Sequence, residues 1–203
     1  MTEEDIRAGL DAVSATDPVL AGALARAGYP AGRLRERGYR TLLRTIVGQQ
    51  VSVAAAASVW RKLEQALGED MAPEALLAAD FDTLRACGLS RQKQGYARSL
   101  AGLIASGELD LTHLPADDED AIAQLTRIKG IGRWSAEIYL LFAEGRGDIW
   151  PAGDLAVQAG IGKILGLPAR PSEKLARELA QAWRPHRGSV AIFTWHCYNN
   201  PAL

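Results

Sequence analysis

One aspartate has a sequence setting in which a carboxylate could perform chemistry. Asp154 follows the loop-forming residues 150–153, which include a proline and a glycine, and precedes the apolar residues 155–157. This order predicts that Asp154 is the N-cap of a helix, where backbone N–H groups hold its side chain in place. A carboxylate fixed in this way can stabilise a developing positive charge and can orient or deprotonate a water molecule. Most N-cap aspartates only cap, so the position alone leaves both interpretations open.

A second segment, residues 125–136, could bind a phosphate. Gly130 and Gly132 flank Ile131 between two amphipathic helical patterns. We predict that both glycines permit a tight reversal that a β-carbon would obstruct, and that Ile131 is buried between the helices. The N-terminus of the second helix favours an anion through its backbone N–H groups and its dipole, although a plain helix–helix turn is the alternative. The residues predicted to bind a nucleic-acid backbone are Gly130, Ile131, Gly132, Arg133, Trp134 and Ser135.

The elements that position these residues read as short helices with clear start and stop signals, which predicts an all-α fold. Expected N-caps precede many of the apolar stripes; they include Thr2, Asp17, Ser52, Ser90 and Asp117. We find no convincing pair of strands. We expect residues 1–203 to form one unit with two lobes. The first lobe spans about 40–145 with the hairpin at 125–136, the second combines about 1–39 and 146–203, and the active-site cleft lies between them.

Composition narrows the class of protein without deciding it. The chain has 203 residues, of which 48% are hydrophobic and 23% are charged, and its net charge is −1. No apolar stretch is long enough to span a membrane and no signal peptide is recognisable, so we expect a cytoplasmic protein. We also expect it to be a monomer. Cys87 and Cys197 are too few for an iron–sulfur cluster and are expected to be buried and reduced, so no cofactor is predicted. The average charge neither supports nor excludes binding to DNA.

The order of these features resembles a known family. A hairpin, then an apolar helix, then a Pro/Gly loop ending in aspartate is similar to the helix-hairpin-helix-Gly/Pro-Asp (HhH-GPD) DNA glycosylase superfamily. Residues 45–53, 130–136, 183–187 and 192–195 resemble the 3-methyladenine DNA glycosylase II family in particular. The resemblance extends over roughly residues 36–200. It implies a glycosylase of base excision repair that acts on alkylated purines in duplex DNA, with Asp154 as its catalytic carboxylate.

The resemblance also implies which chemistry the site performs. Bifunctional members of the superfamily use a lysine amine to form a Schiff base, and Trp134 occupies the corresponding position here. Tryptophan cannot form a Schiff base, so a monofunctional hydrolase is expected. Two alternatives remain open. One is a glycosylase for a deaminated or oxidised base, and the other is a hairpin protein that binds DNA without cutting it.

Further site residues are implied by the same resemblance. Trp134 and Trp195 match substrate-pocket positions, where aromatic faces can stack on a cationic base. Gln50, with Gln49 beside it, matches the wedge that fills the gap left by a flipped base. The backbone carbonyls of Thr126, Ile128 and Ile131 match those that hold a monovalent cation when DNA is bound.

Overall fold

The computed structural model describes residues 1–198, and over that range it contains helices, turns and loops but no strand. The all-α prediction is confirmed. None of the helices described in this range is long and apolar enough to cross a membrane. A 3-10 helix, Ala180–Trp183, connects the last two α-helices. The α-helices are α1 (Glu3–Ser14), α2 (Pro18–Ala27), α3 (Tyr39–Gly48), α4 (Val53–Leu67), α5 (Pro73–Ala78), α6 (Phe81–Ala86), α7 (Arg91–Ala105), α8 (Asp118–Thr126), α9 (Arg133–Phe142), α10 (Leu155–Ile164), α11 (Glu173–Leu179) and α12 (Arg187–Tyr198).

The helices begin where polar side chains can bond their first-turn N–H groups. Thr2 and Asp5 form a reciprocal capping box at the start of α1. Asp17 caps α2, whose first residue is Pro18, a position that needs no N–H donor. These caps agree with the sequence prediction. The same holds for the caps Ser52, Ser90 and Asp117.

Residues Glu36–Ala136 form one compact unit. Its helix α7 packs against α3 and α5, and α4 packs against α3. The core of this unit includes Leu42, Leu63 and Leu100, none of which is exposed to solvent. Trp60 is also buried, with 4% of its surface exposed. This unit carries the hairpin between α8 and α9.

Residues Met1–Arg35 and the described residues from Glu137 to Tyr198 form the other compact unit. In it α12 packs against α1 and α10, and Phe193 of α12 is completely buried. Gly160 lets α10 and α12 approach closely, because a Cβ at this position would lie 2.3 Å from the carbonyl oxygen of Thr194. The close approach brings the start of α10 and the second half of α12 together. Asp154 and Trp195 lie on these two segments.

The two cysteines agree with the sequence prediction. Cys87 and Cys197 are both free and buried. Burial raises the pKa of the Cys197 thiol to about 12, so this group stays protonated and unreactive at neutral pH. Neither cysteine takes part in the site described below.

Candidate functional site

Asp154 is the N-cap of α10, as the sequence predicted. Its Oδ1 accepts hydrogen bonds from the backbone N–H groups of Ala156, at 2.9 Å, and Val157, at 3.0 Å. Its own N–H donates to the carbonyl oxygen of Pro151 at 2.9 Å, which closes a tight turn ahead of the helix. The residue is partly buried. The backbone therefore sets the direction of this carboxylate.

Trp195 contacts the same carboxylate from α12. Its indole Nε1 donates a hydrogen bond to Oδ1 of Asp154 at 3.1 Å. The ring of Phe142 lies behind it, with the two ring centroids 5.5 Å apart and the planes tilted by 33°. The family resemblance implied only a stacking role for Trp195. The structure adds a direct hydrogen bond between it and the candidate catalytic group.

Ion pairs and hydrogen bonds fix the segments that carry these two residues. Arg187, the first residue of α12, is 8% exposed and donates from Nε and Nη2 to the two carboxylate oxygens of Asp148, at 2.8 and 2.9 Å. Trp150 donates from its indole nitrogen to the carbonyl oxygen of Ala176 at 3.0 Å. A bidentate arginine–carboxylate pair is both strong and directional. The segment leading to Asp154 is therefore anchored to α12 and to α11.

The predicted hairpin lies between the end of α8 at Thr126 and the start of α9 at Arg133. Ile128 and Ile131 are 0% and 3% exposed, and the N–H of Ile131 donates to the carbonyl oxygen of Ile128 at 3.0 Å. The predicted burial of Ile131 is confirmed. The two isoleucines anchor the turn in the core and leave its glycines at the surface.

The two glycines of the hairpin differ. Gly130 has φ of 84°, and a Cβ built on it would lie 2.2 Å from the ring of Tyr96, so glycine is required there for two reasons. The prediction that a β-carbon would be obstructed at Gly132 is wrong. This residue is absent from the positive-φ positions of residues 1–198, and a Cβ on it would meet nothing within 4 Å. The folded chain can accommodate a side chain at Gly132.

The polar side of the hairpin is exposed. Arg133 forms a bidentate ion pair with Glu119 of α8, with nitrogen–oxygen distances of 2.8 and 2.5 Å. Trp134 is 47% exposed, unlike the buried Trp60 of the same unit. Ser135 is partly buried. Exposure of Trp134 is a condition for contact with a ligand, and the structure meets it.

The two glutamines predicted as wedge residues have different environments. Gln49 donates from Nε2 to the carbonyl oxygen of Gly130 at 2.8 Å, which joins the end of α3 to the hairpin. Gln50 is exposed and adopts φ of 54°, in the left-handed region that side chains seldom occupy. This geometry favours Gln50 over Gln49 as the residue that could enter a duplex.

Helix α7 supports both the hairpin and the turn after α3 that carries Gln49 and Gln50. The sequence did not predict this role. Lys93 is partly buried and donates from Nζ to the carbonyl oxygen of Val47 at 2.7 Å. Burial lowers the pKa of Lys93 from its ordinary value. Ser99 accepts a hydrogen bond from the N–H of Lys129 at 3.1 Å. Helical spacing places Lys93, Tyr96 and Ser99 near one face, but their partners are distant in sequence.

The carbonyls predicted to hold a cation belong to Thr126, Ile128 and Ile131 of the hairpin. Thr126 ends α8, where carbonyl groups lack a partner further along the helix. The carbonyl of Ile128 accepts one hydrogen bond and keeps a second lone pair. Within residues 1–198, no group of three or more His, Cys, Asp or Glu side chains could hold a metal ion.

A hairpin with a required glycine, followed by one apolar helix and a capping aspartate after a Pro/Gly loop, defines a helix-hairpin-helix-Gly/Pro-Asp protein. Residues 43–185 match the HhH-GPD superfamily base excision DNA repair protein family. This match covers most of the chain. The chain therefore belongs to the HhH-GPD superfamily of base excision DNA repair proteins.

Individual relatives agree with this assignment. The chain is 31% identical over 166 residues to DNA-3-methyladenine glycosylase 1 of Schizosaccharomyces pombe, covering 79% of this chain and 72% of the relative. It is similar to the crystal structure of a DNA-3-methyladenine glycosidase from Bacillus halodurans, with a TM-score of 0.88, 30% identity, and coverage of 95% and 89% of the two chains. The 3-methyladenine DNA glycosylase of Schizosaccharomyces pombe in complex with abasic DNA gives a TM-score of 0.80 at 27% identity, covering 96% and 98% of the chains.

Proposed function

We propose that this protein is a monofunctional DNA glycosylase that hydrolyses the N-glycosidic bond of alkylated purines, of the 3-methyladenine type, in duplex DNA. The observation that carries the proposal is the fixed carboxylate of Asp154, bound by two backbone N–H groups and the indole of Trp195. It occupies the Pro/Gly loop of a chain whose relatives are named as 3-methyladenine glycosylases. The product would be a free base and an abasic site.

The chemistry follows from an oxocarbenium-like transition state. The bond between C1′ of the sugar and the base nitrogen breaks, and its electron pair leaves with the base. Asp154 stabilises the positive charge that develops on the sugar. A water oxygen then bonds to C1′, and its proton passes to Asp154 or to solvent. An alkylated purine already carries positive charge, so it departs without needing a strong general acid.

DNA binding would use the hairpin and the turn that carries Gln49 and Gln50. The absence of close neighbours around Gly132 leaves room for a phosphate at the N-terminus of α9, where the helix dipole favours an anion. Gln50 would fill the gap left by the extruded base. A monovalent cation would be held by the carbonyls of Thr126, Ile128 and Ile131, and would add positive charge beside the phosphate. DNA binding of this kind does not require an overall basic protein.

Two tryptophans would determine the substrate range. The exposed ring of Trp134 and the partly buried ring of Trp195 offer π faces that attract a cationic base. Trp134 also carries no amine, so the Schiff-base route of strand-cleaving enzymes is closed at this position. Neutral oxidised bases would gain less from aromatic faces, which favours alkylated purines over those lesions.

A second capping aspartate of this chain provides a matched control for the catalytic role. Asp17 begins α2 and accepts hydrogen bonds from the N–H groups of Val19 and Leu20, both at 3.0 Å. Its other oxygen accepts the indole N–H of Trp183 at 2.9 Å. Asp17 therefore has the same kinds of hydrogen-bond donors as Asp154, but it lies outside the Pro/Gly loop.

The decisive experiment measures base release from methylated duplex DNA under single-turnover conditions. We expect Asp154→Asn to keep the cap, to bind DNA, and to lose on the order of 100-fold or more in rate. Asp17→Asn should keep the wild-type rate. A wild-type protein that binds DNA but releases no methylpurine would refute the proposal, and assays on deaminated and oxidised bases would separate another lesion from a non-catalytic binder.

A further inference from the structure

Gln158 is a buried polar residue that the chemistry described above does not use. It lies on α10, one turn after Asp154, and is 5% exposed. Its side-chain Nε2 donates a hydrogen bond to the carbonyl oxygen of Ala152 at 2.7 Å. Burying an amide costs free energy unless its hydrogen bonds are replaced. The side chain thus reaches back from the helix to the loop that precedes it.

The carbonyl that Gln158 holds belongs to the peptide group between Ala152 and Gly153. A peptide group is planar, so a hydrogen bond that holds its oxygen also fixes the orientation of the peptide N–H of Gly153. Gly153 is exposed, and glycine has more conformational freedom than any other residue. Without the contact from Gln158, rotation about the bonds of Gly153 could change the position of Asp154.

The loop has other hydrogen bonds, but their locations differ. The N–H of Ala152 donates to the carbonyl oxygen of Trp150 at 2.8 Å, and the N–H of Asp154 donates to that of Pro151 at 2.9 Å. Both bonds are local to the turns themselves. The bond from Asp154 to Pro151 also spans Gly153, but it stays within the loop. The bond from Gln158 joins the peptide group ahead of Gly153 to the body of α10.

We propose that Gln158 is a positioning residue for the reaction, holding the Ala152–Gly153 peptide group so that the carboxylate of Asp154 stays at its working position. This inference rests on the proposed role of Asp154 in glycosidic-bond hydrolysis. Small displacements of a reacting group have large effects on rate, and about 1 Å can cost on the order of 100-fold. Loss of the bond should therefore slow the chemical step while DNA binding persists.

The test compares Gln158→Met with a matched variant, Gln94→Met. Gln94 is also a buried glutamine on a helix, 3% exposed, and its Nε2 donates to the carbonyl oxygens of Phe81 and Leu89, both at 3.2 Å. It lies in the compact unit formed by Glu36–Ala136, whereas the Asp154 loop lies in the other unit. Both substitutions remove an amide and keep a side chain of similar length.

The measurements are the single-turnover rate of methylpurine release, the Kd for duplex DNA with an abasic site, and the thermal unfolding midpoint. We expect Gln158→Met to lose roughly 10- to 100-fold in rate, with Kd within about threefold of wild type. Gln94→Met should lower the unfolding midpoint but keep the rate. An unchanged rate in Gln158→Met, or an equal loss in both variants, would overturn the inference.

A second variant keeps the test valid if Gln158→Met does not fold. In Gln158→Glu a protonated carboxyl group can donate to the Ala152 carbonyl, whereas a carboxylate cannot. Its rate relative to wild type should rise as the pH is lowered, because a larger fraction of the introduced carboxyl group is then protonated and able to donate. A low ratio that does not change with pH contradicts the inference. Failure of the proposed function itself is recognised separately, since wild type would then release no methylpurine.

Discussion

Trp195 donates its indole hydrogen bond to Oδ1 of Asp154, the same oxygen that accepts the two first-turn N–H groups of α10. In the pair formed by Trp183 and Asp17, the indole bonds Oδ2 and the backbone bonds Oδ1. The two pairs use the same donors in different arrangements. Three donors converge on one oxygen of Asp154, so the indole bond would affect the proposed chemistry as well as the fold.

We predict that Trp195→Phe keeps an aromatic face but slows base release about tenfold. A hydrogen bond to a charged group contributes about 1.5–3 kcal/mol, and about 1.4 kcal/mol of lost transition-state stabilisation corresponds to a factor of ten in rate. The rate is measured under single-turnover conditions with methylated duplex DNA. Trp183→Phe, which removes the bond to Asp17, is the matched control and should keep the rate. A wild-type rate in Trp195→Phe would show that the indole N–H has no part in catalysis.

The close approach of α10 and α12 gives a prediction about Gly160. A Cβ at this position would lie 2.3 Å from the carbonyl oxygen of Thr194, so Gly160→Ala should force the helices apart and destabilise the protein by about 1–3 kcal/mol. Because Trp195 follows Thr194 directly, base release should also fall. Chemical denaturation and single-turnover kinetics measure the two effects.

Gly95 in α7 is the control for this substitution. A Cβ there would meet nothing within 4 Å, so Gly95→Ala should stabilise the protein by roughly 0.5–1 kcal/mol, as expected for a glycine inside a helix. If Gly160→Ala proves as stable as Gly95→Ala, then the contact between the helices does not depend on the glycine.

The hairpin glycines give opposite predictions for folding and binding. Gly130→Ala places a methyl group 2.2 Å from Tyr96 at φ of 84°, so it should destabilise the protein and weaken DNA binding together. Gly132→Ala meets no neighbour in the free protein and should leave the unfolding free energy unchanged or slightly higher. It should nevertheless weaken binding to duplex DNA by about tenfold, because the methyl group occupies the space a phosphate needs at the helix N-terminus.

The Kd of each variant is measured by fluorescence anisotropy with an abasic-site duplex, and stability by denaturant unfolding. Gly132→Ala is informative because the structure predicts no folding defect for it. If its Kd equals that of wild type, the phosphate does not approach at Gly132, and the assignment of the hairpin as the backbone-binding element needs revision.

The sequence predicted the local parts of this structure well. The caps at Thr2, Asp17 and Asp154 depend on interactions within a few residues, so their side-chain type and spacing were sufficient. The buried position of Ile131 followed from an apolar residue between two glycines. Local signals succeed here because each helix end must satisfy its own N–H groups.

The contacts that organise the site could not be predicted in this way. The bonds from Trp195 to Asp154 and from Lys93 to Val47 join residues 41 and 46 positions apart, and no sequence pattern specifies such partners. Gly132 shows the opposite error. Its need for glycine was inferred from the Gly-Ile-Gly pattern, but a Cβ there would meet nothing within 4 Å. The surroundings of these residues therefore depend on how segments that are distant in sequence pack together.

The backbone conformation of Gln50 allows the effect of this residue on stability to be measured separately from its effect on base release. A non-glycine residue at φ of 54° carries a strain of about 1–2 kcal/mol, which glycine does not. The gain is partly offset by the greater freedom of glycine in the unfolded chain, so Gln50→Gly should unfold at the wild-type temperature or slightly above it. The same variant removes the proposed wedge and should slow base release from duplex DNA about tenfold or more, because extruding a base costs a few kcal/mol. Gln50→Ala, which keeps the strain, should be equally slow but no more stable. If both variants release base at the wild-type rate, Gln50 does not stabilise the flipped state.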